Sequence, residues 1–154
     1  MLVYLDTCSI QRPFDDQSQI RIALESEAVL RAIQLVEQDD LNLLSSETLL
    51  VETDQNPHPR RRRFARGLLS LAVRFIQTDS QIESRARQYE KSGIRPFDAL
   101  HLASAVESGA DVFCSTDDQL LKRGSEADTE STRVLTPIEL IEEVQNHDCR
   151  DSAA

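Results

Sequence analysis

The chain opens Met1-Leu2-Val3-Tyr4-Leu5-Asp6-Thr7-Cys8-Ser9-Ile10, a short apolar run that ends on an acid. Leu2 to Leu5 has the length of a buried strand, and a carboxylate at its end has little packing value. The same pattern returns later in the chain. Leu41 to Leu44 is a second strand candidate, and Val112 to Ser115 is a third, followed at once by Thr116 and Asp117. Val134-Leu135 is a short fourth.

The segments between these runs read as helices. Ile22, Val29, Ile33 and Val36 give helical spacing from Ile20 to Val36. Ser45-Ser46-Glu47 supplies a helix start, with the stop expected near Pro57. Phe64, Leu68, Leu71, Ala72, Phe75 and Ile76 predict one amphipathic helix from Arg60 to Ile76. A further helix is expected from about Asp79 to Ser92, stopped by Gly93. The next opens at Pro96 and stops at Gly109, a short one covers Gln119 to Arg123, and Pro137 opens the last, to about Gln145. Gly124 to Thr132 reads as a polar loop. Residues 1–146 then form one domain, and 147–154 are expected to be a frayed, disordered tail.

Short apolar strands separated by helices require crossover connections, which predicts an α/β fold. The expected architecture is a three-layer sandwich, with a central, mostly parallel sheet of about four to five strands and helices on both faces. In such sheets ligands gather at the carboxyl ends of the strands, near the topological switch point. Asp6 and Asp117 follow strands directly. Glu52 and Asp98 can join them from helices whose ends face that edge.

Composition narrows the field further. With 154 residues and 40% hydrophobic content, the chain can bury a core. Cys8, Cys114 and Cys149 are odd in number and lack CxxC spacing, which argues against a zinc site or a disulfide framework. There is no basic region leading into a signal-peptide core, and no window approaches the roughly 18 apolar residues of a membrane span. The expected location is the cytoplasm, with no membrane contact.

The net charge of −10 argues at first against a nucleic-acid partner. The distribution reverses that reading. Arg60 to Arg95 holds ten basic residues against Asp79, Glu83 and Glu90, a local +7 that leaves −17 elsewhere. Its sharpest part is Arg60-Arg61-Arg62-Arg63 with Arg66. Arginines in a first helical turn oppose the macrodipole, so either a solvated helix surface or an anion-binding role accounts for them.

Asp6, Glu52, Asp98 and Asp117 together have the chemistry of a cation site. Mg2+ and Mn2+ are hard ions that take carboxylate oxygens, keep water and bind substrate phosphates. Carboxylates crowded together repel without such an ion. Each acid also has an ordinary reading on its own, as a loop cap, a helix N-terminal acid or an N-cap. His101 lies in a run apolar nearly all round and reads as packed rather than catalytic, and Cys8 and Cys114 read as packing residues. A haloacid-dehalogenase-like phosphatase would need a second aspartate where Cys8 stands. A cysteine phosphatase would need arginine where Phe14 or Leu120 stands.

With those residues in hand, the chain resembles the PIN domain family, the nuclease fold of VapC-type toxins and of stand-alone bacterial ribonucleases. The resemblance rests on Leu5-Asp6-Thr7-Cys8-Ser9-Ile10 continuing to Asp16, on Ser46 through Glu52, on Phe97-Asp98-Ala99-Leu100-His101-Leu102-Ala103, and on Ser115-Thr116-Asp117-Asp118. It implies a PIN-like sandwich and a Mg2+- or Mn2+-dependent endoribonuclease that hydrolyses RNA with metal-activated water. Asp6, Glu52, Asp98 and Asp117 would be catalytic metal ligands, with Glu52 fitting better than Glu47. Asp118 would either help hold a second metal or face solvent. Thr7 or Ser9 would order the loop after the first strand, and both are candidates to border the substrate. Arg60, Arg61, Arg62, Arg63 and Arg66 are candidates for RNA backbone contact, with Arg12 a weaker one. An antitoxin protein, as in a type II toxin-antitoxin pair, and a homodimer are implied as partners. The rival reading is a PIN-fold RNA- or protein-binding scaffold with little turnover.

Overall fold

The computed structural model describes residues 1–153. Five strands form one parallel sheet: β1 (Leu2–Leu5), β2 (Asn42–Ser46), β3 (Arg74–Ile76), β4 (Val112–Cys114) and β5 (Arg133–Leu135). Their order is β3-β2-β1-β4-β5. The chain steps outward from β1 to β3, crosses back to β4, and steps outward again to β5. Its switch point therefore lies between β1 and β4, where Leu5 pairs with Cys114. The residues leaving these two strands, Asp6 and the Ser115-Thr116-Asp117 segment, emerge side by side, tied by the Asp6 amide donating to the Cys114 carbonyl at 3.1 Å.

Among the described residues, eight α-helices surround the sheet: α1 (Thr7–Gln11), α2 (Ile20–Glu37), α3 (Glu47–Asp54), α4 (Pro59–Leu69), α5 (Ser80–Lys91), α6 (Pro96–Glu107), α7 (Asp118–Glu126) and α8 (Pro137–Ala153). Side chains alternate along a strand. Tyr4 and Phe113, in register on neighbouring strands, stack on each other on the face covered by α6, with α5 behind it. Helices α2 and α8 pack on each other, and α8 also lies against β4 and β5. The core is mainly aliphatic, with Val3, Leu5, Leu43, Leu44 and Leu102 buried around the Tyr4–Phe113 stack. No helix among the described residues is long and apolar enough to cross a membrane.

The α5–α6 connection aims one wall of the site. After α5, Gly93 adopts φ +95°, its amide donates to Glu90 and the Ile94 amide reaches back to Tyr89, satisfying the open carbonyls of the helix end. Ile94 is buried beside that turn. Pro96 then starts α6 at a position that needs no amide donor, which puts Asp98 in its first turn.

The structure differs from expectation in several places, and α7 runs through Glu126, three residues into the expected polar loop. The helix predicted from Arg60 to Ile76 ends at Leu69, and Arg74–Ile76 form the edge strand β3 against Leu44, Ser45 and Ser46. Val73, Phe75 and Ile76 favour a strand, and pairing with β2 overrides a helical spacing that no glycine or proline interrupts between Leu68 and Ile76. The residues after Leu5, expected to be a loop, form α1, capped by Asp6. Finally, α8 continues through Ala153 instead of ending near Gln145, so residues 147–153 of the expected tail are helical. The last residue lies outside the described residues.

Candidate functional site

Asp6 sits at the C-terminal end of the central strand and is 2% exposed. It caps α1, its Oδ1 accepting the Ser9 amide at 2.9 Å. Burial raises its pKa to about 6, against the opposing pull of hydrogen bonds from Ser115 and Ser9 and the charge of His101.

Above it opens a cleft of about 1270 Å³. Glu52 from α3, Asp98 from α6 and Asp117 from the β4–α7 junction line it, together with Thr7 and Cys8. Asp117 also caps α7, accepting the Gln119 and Leu120 amides at 3.0 and 3.1 Å. Asp98 is half-buried, and its pKa is raised, first by desolvation and further by Asp117 and Glu52, with Arg95 and His101 opposing. Cys8, expected to be a packing residue, is instead exposed and lines the cleft. Crowding around its thiol, then the charges of Asp6, Asp98, Asp117 and Glu52, push its pKa up to about 12, which leaves it a poor nucleophile.

A buried polar chain runs behind this wall. The Ser46 hydroxyl lies 2.7 Å from the Tyr4 hydroxyl, which lies 2.6 Å from His101 Nδ1, and His101 Nε2 lies 3.3 Å from Glu52 Oε1. His101 is packed, 1% exposed, and also reaches the site. Burial pushes the Glu52 pKa up, but the contact with His101 prevails and holds it below the ordinary glutamate value. Glu47 is exposed elsewhere and accepts the Thr78 amide at 3.0 Å.

Among the described residues no group of three histidines, cysteines or acids is gathered tightly enough to hold a bare ion. Glu52, Asp98 and Asp117 instead line an open cleft beside buried Asp6, with Thr7 at its wall. That arrangement fits a hydrated Mg2+ or Mn2+, which keeps several waters and takes few protein ligands. Part of the acidic charge is already offset by Arg95, whose guanidinium lies 2.5 Å from Asp117 and 3.4 Å from Asp98.

Other sequence candidates fall elsewhere. Asp118 is not gathered with the four acids. It is exposed and paired with Arg21 at 2.5 Å. Ser9 is buried and donates to the Cys114 carbonyl at 3.1 Å, locking α1 to β4 rather than facing the cleft. The arginine run does not form one patch, because successive helical residues turn by about 100°. Only Arg61 of the run lines the cleft, held by the Phe14 carbonyl at 2.9 Å and stacked over the Phe14 ring. Arg62 bonds the Asn56 carbonyl and Arg66 pairs with Asp54, while Arg60 and Arg63 are exposed. Arg12 lines the cleft but is committed to buried Glu25 at 2.8 Å and to Asp15. Sequence reasoning missed Arg95, exposed Phe97 beside Asp98, and the Tyr4–His101 link. For Arg95 a signal existed in its position directly before the proline that opens α6.

Fold and site together define a parallel α/β protein with an acidic cleft at its switch point. The family model of the PIN domain matches residues 3–127, and the chain belongs to that family. No curated protein matches it. Among solved structures, it is similar to a chain of the VapBC2 complex from Rickettsia felis, crystallised with a DNA fragment from the complex's promoter. The TM-score is 0.53 at 12% identity, covering 87% of this chain and 98% of that one. At that identity the likeness is one of fold.

Proposed function

We propose that this PIN domain is an endoribonuclease that hydrolyses RNA phosphodiesters with Mg2+ or Mn2+, acting in the cytoplasm. The observation that carries the reading is that Glu52, Asp98 and Asp117 line one open cleft at the switch point, beside buried Asp6. Asp6, Glu52, Asp98 and Asp117 would hold the cation. When bound, such an ion lowers the pKa of a water and neutralises charge building on the phosphate. The protein's share is positional. Asp6 is fixed by α1, Asp117 by α7, and Glu52 by His101, so each carboxylate is oriented before substrate arrives. Arg61 and Arg95 line the same cleft and supply cationic contacts for flanking phosphates.

The test is cleavage of a mixed RNA pool with Mg2+, with Mn2+ and with EDTA, comparing wild type with Asp98→Asn. Cutting that requires the ion and disappears in the variant is expected. A folded wild type that cuts none of the RNAs would overturn the nuclease reading in favour of a binding scaffold. The fold shared with a chain of the VapBC2 complex also supports a role as the toxin of a type II pair, with a small antitoxin protein as partner.

Backbone contact has its own signature. Arg61→Ala should weaken RNA binding across sequences and flatten the dependence of log Kd on log salt by about 1. Fluorescence anisotropy at several salt concentrations measures this, and an unchanged slope would remove Arg61 from the interface.

A further inference from the structure

The buried chain Ser46–Tyr4–His101 ends on an acid of the site, and with a neutral imidazole one donor order serves every member. The Ser46 Oγ accepts the Leu49 amide at 3.1 Å as the N-cap of α3, so its own proton is free for the Tyr4 oxygen. With Ser46 donating to Tyr4, the Tyr4 proton is available to His101 Nδ1, 2.6 Å away. In the neutral ring, that leaves the proton on Nε2, facing Glu52 Oε1. The opposite order would set a nitrogen lone pair against a carboxylate oxygen, with two like acceptors face to face. Tyr4 is fully buried and His101 nearly so, so neither is reoriented by water. Tyr4 is fixed further by its stacking on Phe113.

We propose that His101 is a positioning residue for Glu52, held by Tyr4 and Ser46 as a fixed Nε2–H donor that occupies one carboxylate oxygen and leaves the other to the cleft. This rests on the reading of Glu52 as a cation ligand. Anchoring of this kind keeps a ligand's rotamer from wandering, and loss of such an outer partner typically lowers metal affinity by about 10- to 100-fold. The three residues come from β1, β2 and α6, so the relay also ties the sheet to the helix that carries Asp98.

The test measures Mn2+ binding by calorimetry in His101→Gln, His101→Asn and His101→Leu, beside wild type. A glutamine amide nitrogen reaches roughly where Nε2 stood, whereas an asparagine amide reaches only the Nδ1 position. His101→Gln should therefore stay within about threefold of wild type, while the asparagine and leucine variants should lose about 10-fold or more. A purely structural role predicts affinity that follows melting temperature in EDTA, with glutamine no better than asparagine, and that result would overturn the inference. Tyr4→Phe keeps the stacked ring and removes only the hydroxyl. In that variant the 15N spectrum of His101 should move away from the Nε2–H form dominant in wild type. A wild-type spectrum with the proton on Nδ1 would also overturn the inference. Wild type that binds no Mn2+ would sink the cation reading itself, while the nitrogen spectrum would still decide the relay.

Discussion

Asp6→Asn should make the metal-free protein more stable at pH 7.5 and reduce RNA cleavage by about 10³-fold, the order expected when several kcal/mol of transition-state charge stabilisation is lost. The stability gain follows from burial. The Asp6 pKa is raised from 3.8 to about 6 in the fold, so the unfolded chain ionises first. Its stabilising share is therefore fully present below about pH 4 and is lost as pH rises through about 6. Above that, the buried anion costs roughly 2–3 kcal/mol, which an amide avoids while still accepting the Ser9 amide. For a chain of this length the shift in Tm is about 5–10 °C. Thermal melts in EDTA at pH 4 and pH 7.5 check it: the variant should match wild type at the lower pH and exceed it at the higher. Equal melts at both would mean that Asp6 is better solvated than its 2% exposure implies.

Arg12→Ala should be strongly destabilising. Glu25 is 2% exposed on α2, and Arg12 donates to its Oε1 through Nε at 3.2 Å and Nη2 at 2.8 Å. Arg21, half-exposed, reaches the same oxygen at 3.3 Å and is a weaker substitute. Removing Arg12 leaves a buried carboxylate largely uncompensated, which costs about 3–5 kcal/mol. Urea denaturation measures the loss. The double variant Arg12→Met with Glu25→Leu should recover most of it, because no lone charge stays behind. A single variant within about 1 kcal/mol of wild type would show that Arg21 alone satisfies Glu25. Arg12, a candidate for RNA contact on sequence grounds, thus also holds the α1–α2 corner, and any drop in RNA binding must be read against its stability.

The acids at strand ends were legible because a carboxylate closing a short apolar run adds nothing to the core it borders, and the switch point follows from alternating strands and helices. Glu52 and Asp98 were legible through motif spacing. What stayed hidden depends on direction rather than identity. The arginine run looked like a patch because sequence proximity hides helical phase, and only Arg61 turns into the cleft. Tyr4 and His101 each read as core. Their link spans 97 residues and depends on which face of the sheet Tyr4 points to, a matter set by register. The strand β3 was masked because its apolar spacing fits a helix as well, and pairing to β2 decides between them.

The position of β1 in the middle of the sheet bears on when this protein becomes competent during synthesis. Its first strand waits for β4, more than 100 residues later, to supply its second neighbour, and Asp117 follows only after that strand. Pairings so distant in sequence form late. A nascent chain therefore carries Asp6 and Glu52 long before β4 and Asp117 are made, and the four acids come together only once β4 has paired with β1.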